Sequence, residues 1–268
     1  MRSNTSVEGN DTVNESIRTA NGPSVDHSKR TMAYAAAFGL LAMAVLAPIA
    51  QFGVLATLIV PTDATATANR IAGSLGAFGG AIAAFFAVAI LDVLVAYALY
   101  VLLRSVNRSF ALAVTGLRLV YAAVFAVALL NLWKVVQLLG SSVTSPPSAA
   151  VTSQVTSSIA SFNNVWDIGL AIFGLHLVGL GGLLIRAPSF GRVIGGLVVV
   201  AGLGYLVDSF GRLFVADYSM TLSMFTFIGE ALLIIWLFRL AIRASRFSDS
   251  HGALAVPNRA NEPAAAKS

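Results

Sequence analysis

Residues 75–103 read LGAFGGAIAAFFAVAILDVLVAYALYVLL, with a single charge, Asp92, in the whole run. At 1.5 Å per residue, a helix needs about 20 residues to cross a ~30 Å hydrocarbon core, so an apolar run beyond about 18 residues is of membrane-spanning length. A buried strand would be far shorter, and a surface helix of a soluble domain would show a polar face. The stretch predicts a helix held in a bilayer, with Asp92 where no bulk water balances it.

Working outward, the composition agrees. The chain has 268 residues, 57% of them hydrophobic and 11% charged, with a mean hydropathy of +0.82; a soluble domain carries about 25% charged residues. Cysteine is absent from the sequence, which excludes disulfides, thiolate metal sites and cysteine nucleophiles. A net charge of +5 does not imply nucleic acid as a partner, because the basic residues stand beside span ends and not in one patch.

Six spans emerge, at about 34–60, 75–103, 110–139, 165–185, 193–215 and 222–242, giving an all-α polytopic membrane helix bundle. Pro48 is expected to kink the first, and Pro61-Thr62-Asp63 to end it and cap the next helical segment. The uncharged Ser/Thr/Pro stretch 140–163 reads as a loop. Residues 33–243 form the transmembrane domain, flanked by polar tails, 1–32 and 244–268, too poor in apolar surface to order themselves. The first tail is too long and too acidic for a signal-peptide leader.

Orientation comes from the span ends. A cytoplasmic N-terminus puts Lys29, Arg30, Arg104, Arg108, Arg186, Arg192, Arg239, Arg243 and Arg246 inside, leaving only Arg70, Lys134 and Arg212 outside. That bias predicts both termini in the cytoplasm and a cell-membrane, bacterial inner-membrane location. It also leaves the Asn-x-Ser/Thr triplets at Asn4, Asn10 and Asn14 without a glycosylating lumen. Basic turns after Leu-Leu-Arg104 and Leu-Leu-Ile-Arg186 look alike, as a duplicated helix pair or as two similar topological signals. The lipid bilayer is the partner this composition requires.

Small residues set helix packing in lipid. Gly76 with Gly80, and Gly191 with Gly195, make GxxxG pairs that let backbones approach closely, within the chain or across a homo-oligomer face. Gly202-Leu-Gly204 is no dinucleotide loop, since no strand precedes it.

Four ionisable residues lie inside different spans: Asp92, Arg118, His176 and Glu230. Counting from the nearest basic end places all four at roughly 14–18 Å depth, one layer near mid-membrane. A charge there costs about 2.5–3.5 kcal/mol, so the four are expected to face inward and meet, with the Arg118 fork serving both carboxylates. The surplus negative charge then favours a protonated His176 or a neutral Glu230. A second, charge-balanced group, Lys134, Asp167, Tyr205, Asp208 and Arg212, falls nearer the opposite face, with Asn131 and Gln137 in reach.

The runs Ile59-Val-Pro-Thr-Asp63, Leu99-Tyr-Val-Leu-Leu-Arg104-Ser-Val-Asn-Arg108, Leu117-Arg118-Leu119, Gly174-Leu-His176-Leu, Gly202-Leu-Gly-Tyr205-Leu-Val-Asp208-Ser-Phe210 and Gly229-Glu230 together resemble the bacterial multi-pass membrane family catalogued as domain of unknown function 4386. The resemblance covers about residues 33–243. It implies an integral membrane fold and supplies no reaction, cofactor or functional residue.

Function therefore rests on the layer itself. One reading is a structural or interaction bundle braced by intramembrane ion pairs. The alternative is a proton- or ion-coupled carrier of a small solute using Asp92, Arg118, His176 and Glu230. An intramembrane enzyme is disfavoured, because neither HExxH nor GxSxG is present. No catalytic residue, metal ligand set or cofactor is assigned.

Overall fold

The computed structural model describes residues 23–141, 146–187, 191–215, 217, 218, 222 and 228–254. Helix α1 runs Pro23–Pro48 and continues through a wider π-helical segment, Ile49–Leu55, into a last turn, Ala56–Leu58. It is followed by α2 (Ala64–Ala72), α3 (Leu75–Leu103), α4 (Arg108–Gly140), α5 (Ala149–Arg186), α6 (Arg192–Phe214) and α7 (Ile228–Leu254). There is no strand among the described residues. Five helices are long and apolar enough to cross a membrane: Ser28–Leu58 within α1, then α3, α4, α5 and α6.

The helix ends are made by local chemistry. Asp63 caps α2, its Oδ1 accepting the Ala66 N–H at 2.8 Å, and Asn107 caps α4 by accepting from Phe110 N at 3.0 Å. Each supplies an acceptor to an amide that has no partner inside its helix. Across the α1–α2 turn, Arg70 donates to the Thr57 carbonyl at 3.1 Å, and Thr67 exchanges hydrogen bonds with the Val60 backbone. Pro48 has no N–H to give the preceding turn, and the ladder widens immediately after it.

Three boundaries differ from the sequence reading. Residues 23–32 belong to α1, and residues 244–254 to α7, where polar tails were expected; residues 1–22 and 255–268 lie outside the described residues. Most of the expected loop 140–163 is helix, since α5 starts at Ala149 with Ser148 accepting from Val151 N. The segment is uncharged, and its Thr152, Val155, Ser158, Ile159 and Phe162 form one buried face. That face packs on α2 and α4, so tertiary burial overrides the weak helix preference of Ser and Thr.

The long helices close a ring, α1 on α3, α3 on α4, α4 on α5, α5 on α6, α6 on α7 and α7 back on α1, with α2 lying across α5 and α4. The outside of the ring is apolar: Phe86, Ile90, Leu94 and Tyr97 on one face of α3 are half exposed or more, as are Leu130 and Val127 on α4. Contiguous exposed apolar surface on this scale is what a lipid-facing bundle shows.

Glycines set the contact between α5 and α6. On antiparallel α5 and α6, Gly174 faces Gly202 and Gly181 faces Gly195, seven residues apart on each helix. A Cβ on Gly202 would lie 2.6 Å from the Gly174 carbonyl oxygen, and one on Gly181 2.5 Å from the Gly195 oxygen. Of the glycines named from sequence, Gly195 is thus at a helix contact, and a Cβ on Gly191 would stand 4.0 Å from Trp236 Nε1. A Cβ on Gly76 or Gly80 would meet nothing within 4 Å among the described residues. The GxxxG spacing there puts two small residues on one face of α3, but no helix packs on it.

Candidate functional site: a charged floor under a central cavity

Arg118 projects from the α4 face that also carries Val114, Tyr121, Ala122 and Phe125, all turned into the ring. It is 1% exposed. One terminal nitrogen, Nη2, lies 2.7 Å from Oδ1 of Asp92 on α3, which is fully buried. The other, Nη1, is 3.4 Å from Nε2 of His176 on α5. The guanidinium also lies over the Phe173 ring, 5.4 Å from its centroid, and touches Met43 of α1 through sulfur. Four helices are tied at one point.

The histidine's state follows from its partners. His176 Nδ1 is 2.8 Å from the Val114 carbonyl, which can only accept, so Nδ1 carries the hydrogen. Nε2 then offers its lone pair to Arg118, and the ring is the neutral Nδ1–H tautomer. The sequence reading allowed a protonated His176; an imidazolium here would turn an N–H against the guanidinium.

Glu230 does not join the ion pair, contrary to the expectation that Arg118 would serve two carboxylates. Instead it faces a cavity of about 300 Å³ above the Arg118 layer. All six helices of the ring contribute to its wall: Gln51 and Phe52 beyond the Pro48 end of α1, Asp92 from α3, Tyr121 from α4, Trp166 and Phe173 from α5, Tyr205 from α6, and Glu230 from α7. The wall reaches the outer surface at Phe52, which is 66% exposed.

Polar atoms on this wall lack partners. Among the described residues, buried Gln51 Oε1, Glu230 Oε1, both Asp92 oxygens and Trp166 Nε1 have no hydrogen-bond partner. Asp92 is close enough to Arg118 for strong Coulomb attraction, yet the contact lacks hydrogen-bond angles, so its acceptor capacity stays open. More than nine-tenths of buried polar groups are satisfied in folded proteins, so several such atoms around one cavity mark a place where something else can bind.

The rest of the wall is aromatic. Phe173 packs on Tyr121 with centroids 4.8 Å apart and meets Tyr205 edge-on at 5.3 Å, while Trp166 packs on Phe125 at 5.6 Å. Toward the end that carries the Arg104–Arg108 and Arg186–Arg192 turns, the packing closes. His176, Val114, Leu180 and Leu183 surround a void of only about 10 Å³, too small for a solute. The Arg118 layer is the floor of the cavity, with a tight plug beneath.

The second sequence-predicted group separates into four. Arg212 pairs with Asp167 at 2.7 Å, both partly exposed. Asp208, fully buried, instead accepts from the Tyr218 hydroxyl at 2.8 Å and the Leu222 amide at 2.9 Å. It fastens the segment after α6, and the hydrogen bond holds the Tyr218 phenol above its ordinary value. Tyr205 belongs to the central cavity. Lys134 is exposed, and Asn131 donates to the Ala128 carbonyl of its own helix.

Gln51, Tyr121, Trp166 and Phe173 were not singled out by sequence. A signal was present for three: Tyr121 lies one turn from Arg118, and Trp166 and Phe173 lie on the His176 stripe of α5 at helical spacing. Nothing in the sequence pointed to Gln51, whose direction depends on the π-helical turn after Pro48.

Fold and site together define an all-helical, membrane-type bundle whose helices enclose a charged floor and an aromatic, acid-lined cavity. The chain belongs to the family described as Domain of unknown function (DUF4386), whose model matches residues 35–240. It is similar to an uncharacterized protein of Archaeoglobus fulgidus, at 31% identity over 156 residues, which covers 58% of this chain and 80% of that one. No solved structure matches.

Proposed function

We propose that this is an integral membrane protein of six spans, α1 and α3–α7, with both termini on the cytoplasmic side of the cell membrane, and that its central cavity binds and carries a small solute. One observation supports this above all: six helices converge on a ~300 Å³ cavity at which Gln51 Oε1, Glu230 Oε1 and both Asp92 oxygens lack a hydrogen-bond partner among the described residues. That volume is at the lower end of small-molecule sites, about 300–1,000 Å³. The basic residues at the ends of α3, α4, α5 and α6 support the orientation.

A purely braced bundle accounts for Arg118 and Asp92. It does not account for Glu230, whose buried Oε1 is left without a donor, since a brace gains nothing from an unsatisfied carboxylate oxygen. The two readings separate on thermal unfolding of the purified protein in lipid nanodiscs with millimolar alkylammonium salts, short-chain carboxylates and neutral polyols. A binding protein is stabilised by one of these classes through mass action, and Ala47→Trp, which fills the cavity from α1, abolishes that shift. If no class raises the melting temperature and Ala47→Trp is more stable than the natural chain, the cavity is a packing defect and the brace reading replaces this one.

A further inference from the structure

Resting on that reading, we infer that the solute is a small organic monocation, its ammonium group seated between Glu230 and Asp92 beside Tyr121, Trp166 and Tyr205, and taken up in exchange for one proton. The charge count carries the first half. Around the cavity Arg118 is paired with Asp92, and His176 is neutral by its hydrogen bonds, which leaves Glu230 as one unbalanced negative charge. The atoms without hydrogen-bond partners among the described residues at the wall are mainly acceptors, Gln51 Oε1, both Asp92 oxygens and Glu230 Oε1; the donors are the uncharged Trp166 indole N–H and, on the floor, Arg118 Nε, whose charge is already balanced by Asp92. An anionic solute would face two carboxylates. A neutral one would leave Glu230 to be neutralised by a proton and would gain nothing from its charge.

The aromatic wall narrows the class from cation to organic cation. Trp and Tyr faces attract an ammonium through their ring quadrupoles, and tolerate its alkyl groups. A bare alkali ion prefers a shell of oxygens, as other hard cations do, and would waste a wall made largely of Phe52, Trp166, Phe173, Tyr121 and Tyr205. The face of Phe173 is already covered by Arg118, which leaves Trp166, the two tyrosines and, at the rim, Phe52 as the other aromatic surfaces of the wall.

The exchange rests on the same charge balance. In a low-dielectric cavity the Glu230 charge is neutralised either by a proton or by the bound cation, so arrival of one displaces the other. No bond to carbon forms or breaks: the proton on the Glu230 carboxyl leaves to bulk water as the ammonium settles. Among the described residues, the titratable and charged groups that share the cavity with Glu230 are Asp92 of α3, Tyr121 of α4 and Tyr205 of α6, with Arg118 beneath them and His176 of α5 behind Arg118; α1 contributes the uncharged Gln51.

Tetramethylammonium is the probe, because it carries no proton of its own and does not cross lipid as a neutral base. Calorimetric titration of the nanodisc protein in a weakly buffered solution is expected to show saturable binding, release of about one proton, and weaker affinity as the pH is lowered. Glu230→Gln, which keeps size and removes the charge, should lose at least about tenfold in affinity while its melting temperature is held. Trp166→Leu should also weaken tetramethylammonium and leave sodium unaffected. Binding of propionate or a polyol in place of tetramethylammonium overturns the assignment while leaving the solute-site reading intact; so does sodium binding with equal affinity, or full affinity in Glu230→Gln. Cation binding without proton release overturns the exchange. Absence of binding by every class sinks both readings.

Discussion

Arg118 is a residue whose neighbours were chosen by electrostatics. Removing it leaves Asp92 charged and fully buried, and breaking one side of a buried pair costs about 3–5 kcal/mol. Arg118→Leu is therefore expected to lower stability by about that amount, and Asp92→Leu by a similar one. The double variant Arg118→Leu/Asp92→Leu should recover most of the loss, a coupling readable by a double-mutant cycle on unfolding in detergent. If the single variants are as stable as the natural chain, the pair is not an energetic contact. His176→Phe keeps the ring shape but strands Arg118 Nη1 and the Val114 carbonyl interaction, at about 1–3 kcal/mol; His176→Gln, which can both donate and accept, should cost less in the same assay.

At the scale of elements, the α5–α6 contact depends on backbone approach and the α3 glycines do not. Gly202→Ala drives a methyl into the Gly174 carbonyl and the Val178 amide, 2.6 and 2.7 Å away, and overpacking of that kind costs about 1–3 kcal/mol. Gly76→Ala has open space and gains helix propensity, so it is expected to be neutral or stabilising by up to about 1 kcal/mol. Equal effects at the two positions would remove the close contact as a determinant of the fold. The segment after α6 gives a pH test. The Asp208 hydrogen bond raises the Tyr218 phenol, so this anchor is intact below the ordinary tyrosine range of about 10 and is lost as pH rises through the elevated value. Hydrogen exchange at the Leu222 amide should rise at that alkaline pH in the natural chain, and at neutral pH in Tyr218→Phe.

For the molecule as a whole, the absence of cysteine makes topology directly testable. Single cysteines at Ser105, in the basic turn, and at Ser74, between α2 and α3, should be labelled by an impermeant maleimide from opposite sides of a sealed vesicle. A cysteine added at either terminus should behave like Ser105. A terminus that labels like Ser74 would change the number of spans to an odd one.

The sequence was decisive where one physical preference dominates. Long apolar runs have no stable home in water, so an all-helical bundle with helices of crossing length was legible from residues such as 75–103. Asp92, Arg118 and His176 stood out because polarity is costly among such neighbours. Pattern failed where competing preferences were weak or where direction mattered. Residues 149–163 became helix because α2 and α4 cover one of their faces. Gly76 and Gly80 had the right spacing and no helix to meet.

Composition and periodicity determined the solvent the chain belongs in and the residues that must find partners there, because transfer free energies are properties of residues. Which partner each one found was a tertiary decision. Arg118 has one fork, and ring closure brought Asp92 and His176 within its reach and set Glu230 across a cavity. The π-helical turn after Pro48 brought Gln51 to the same wall. Distances of a few ångströms between different helices separate a brace from a binding site, and they are set by packing, which no single stretch of sequence contains.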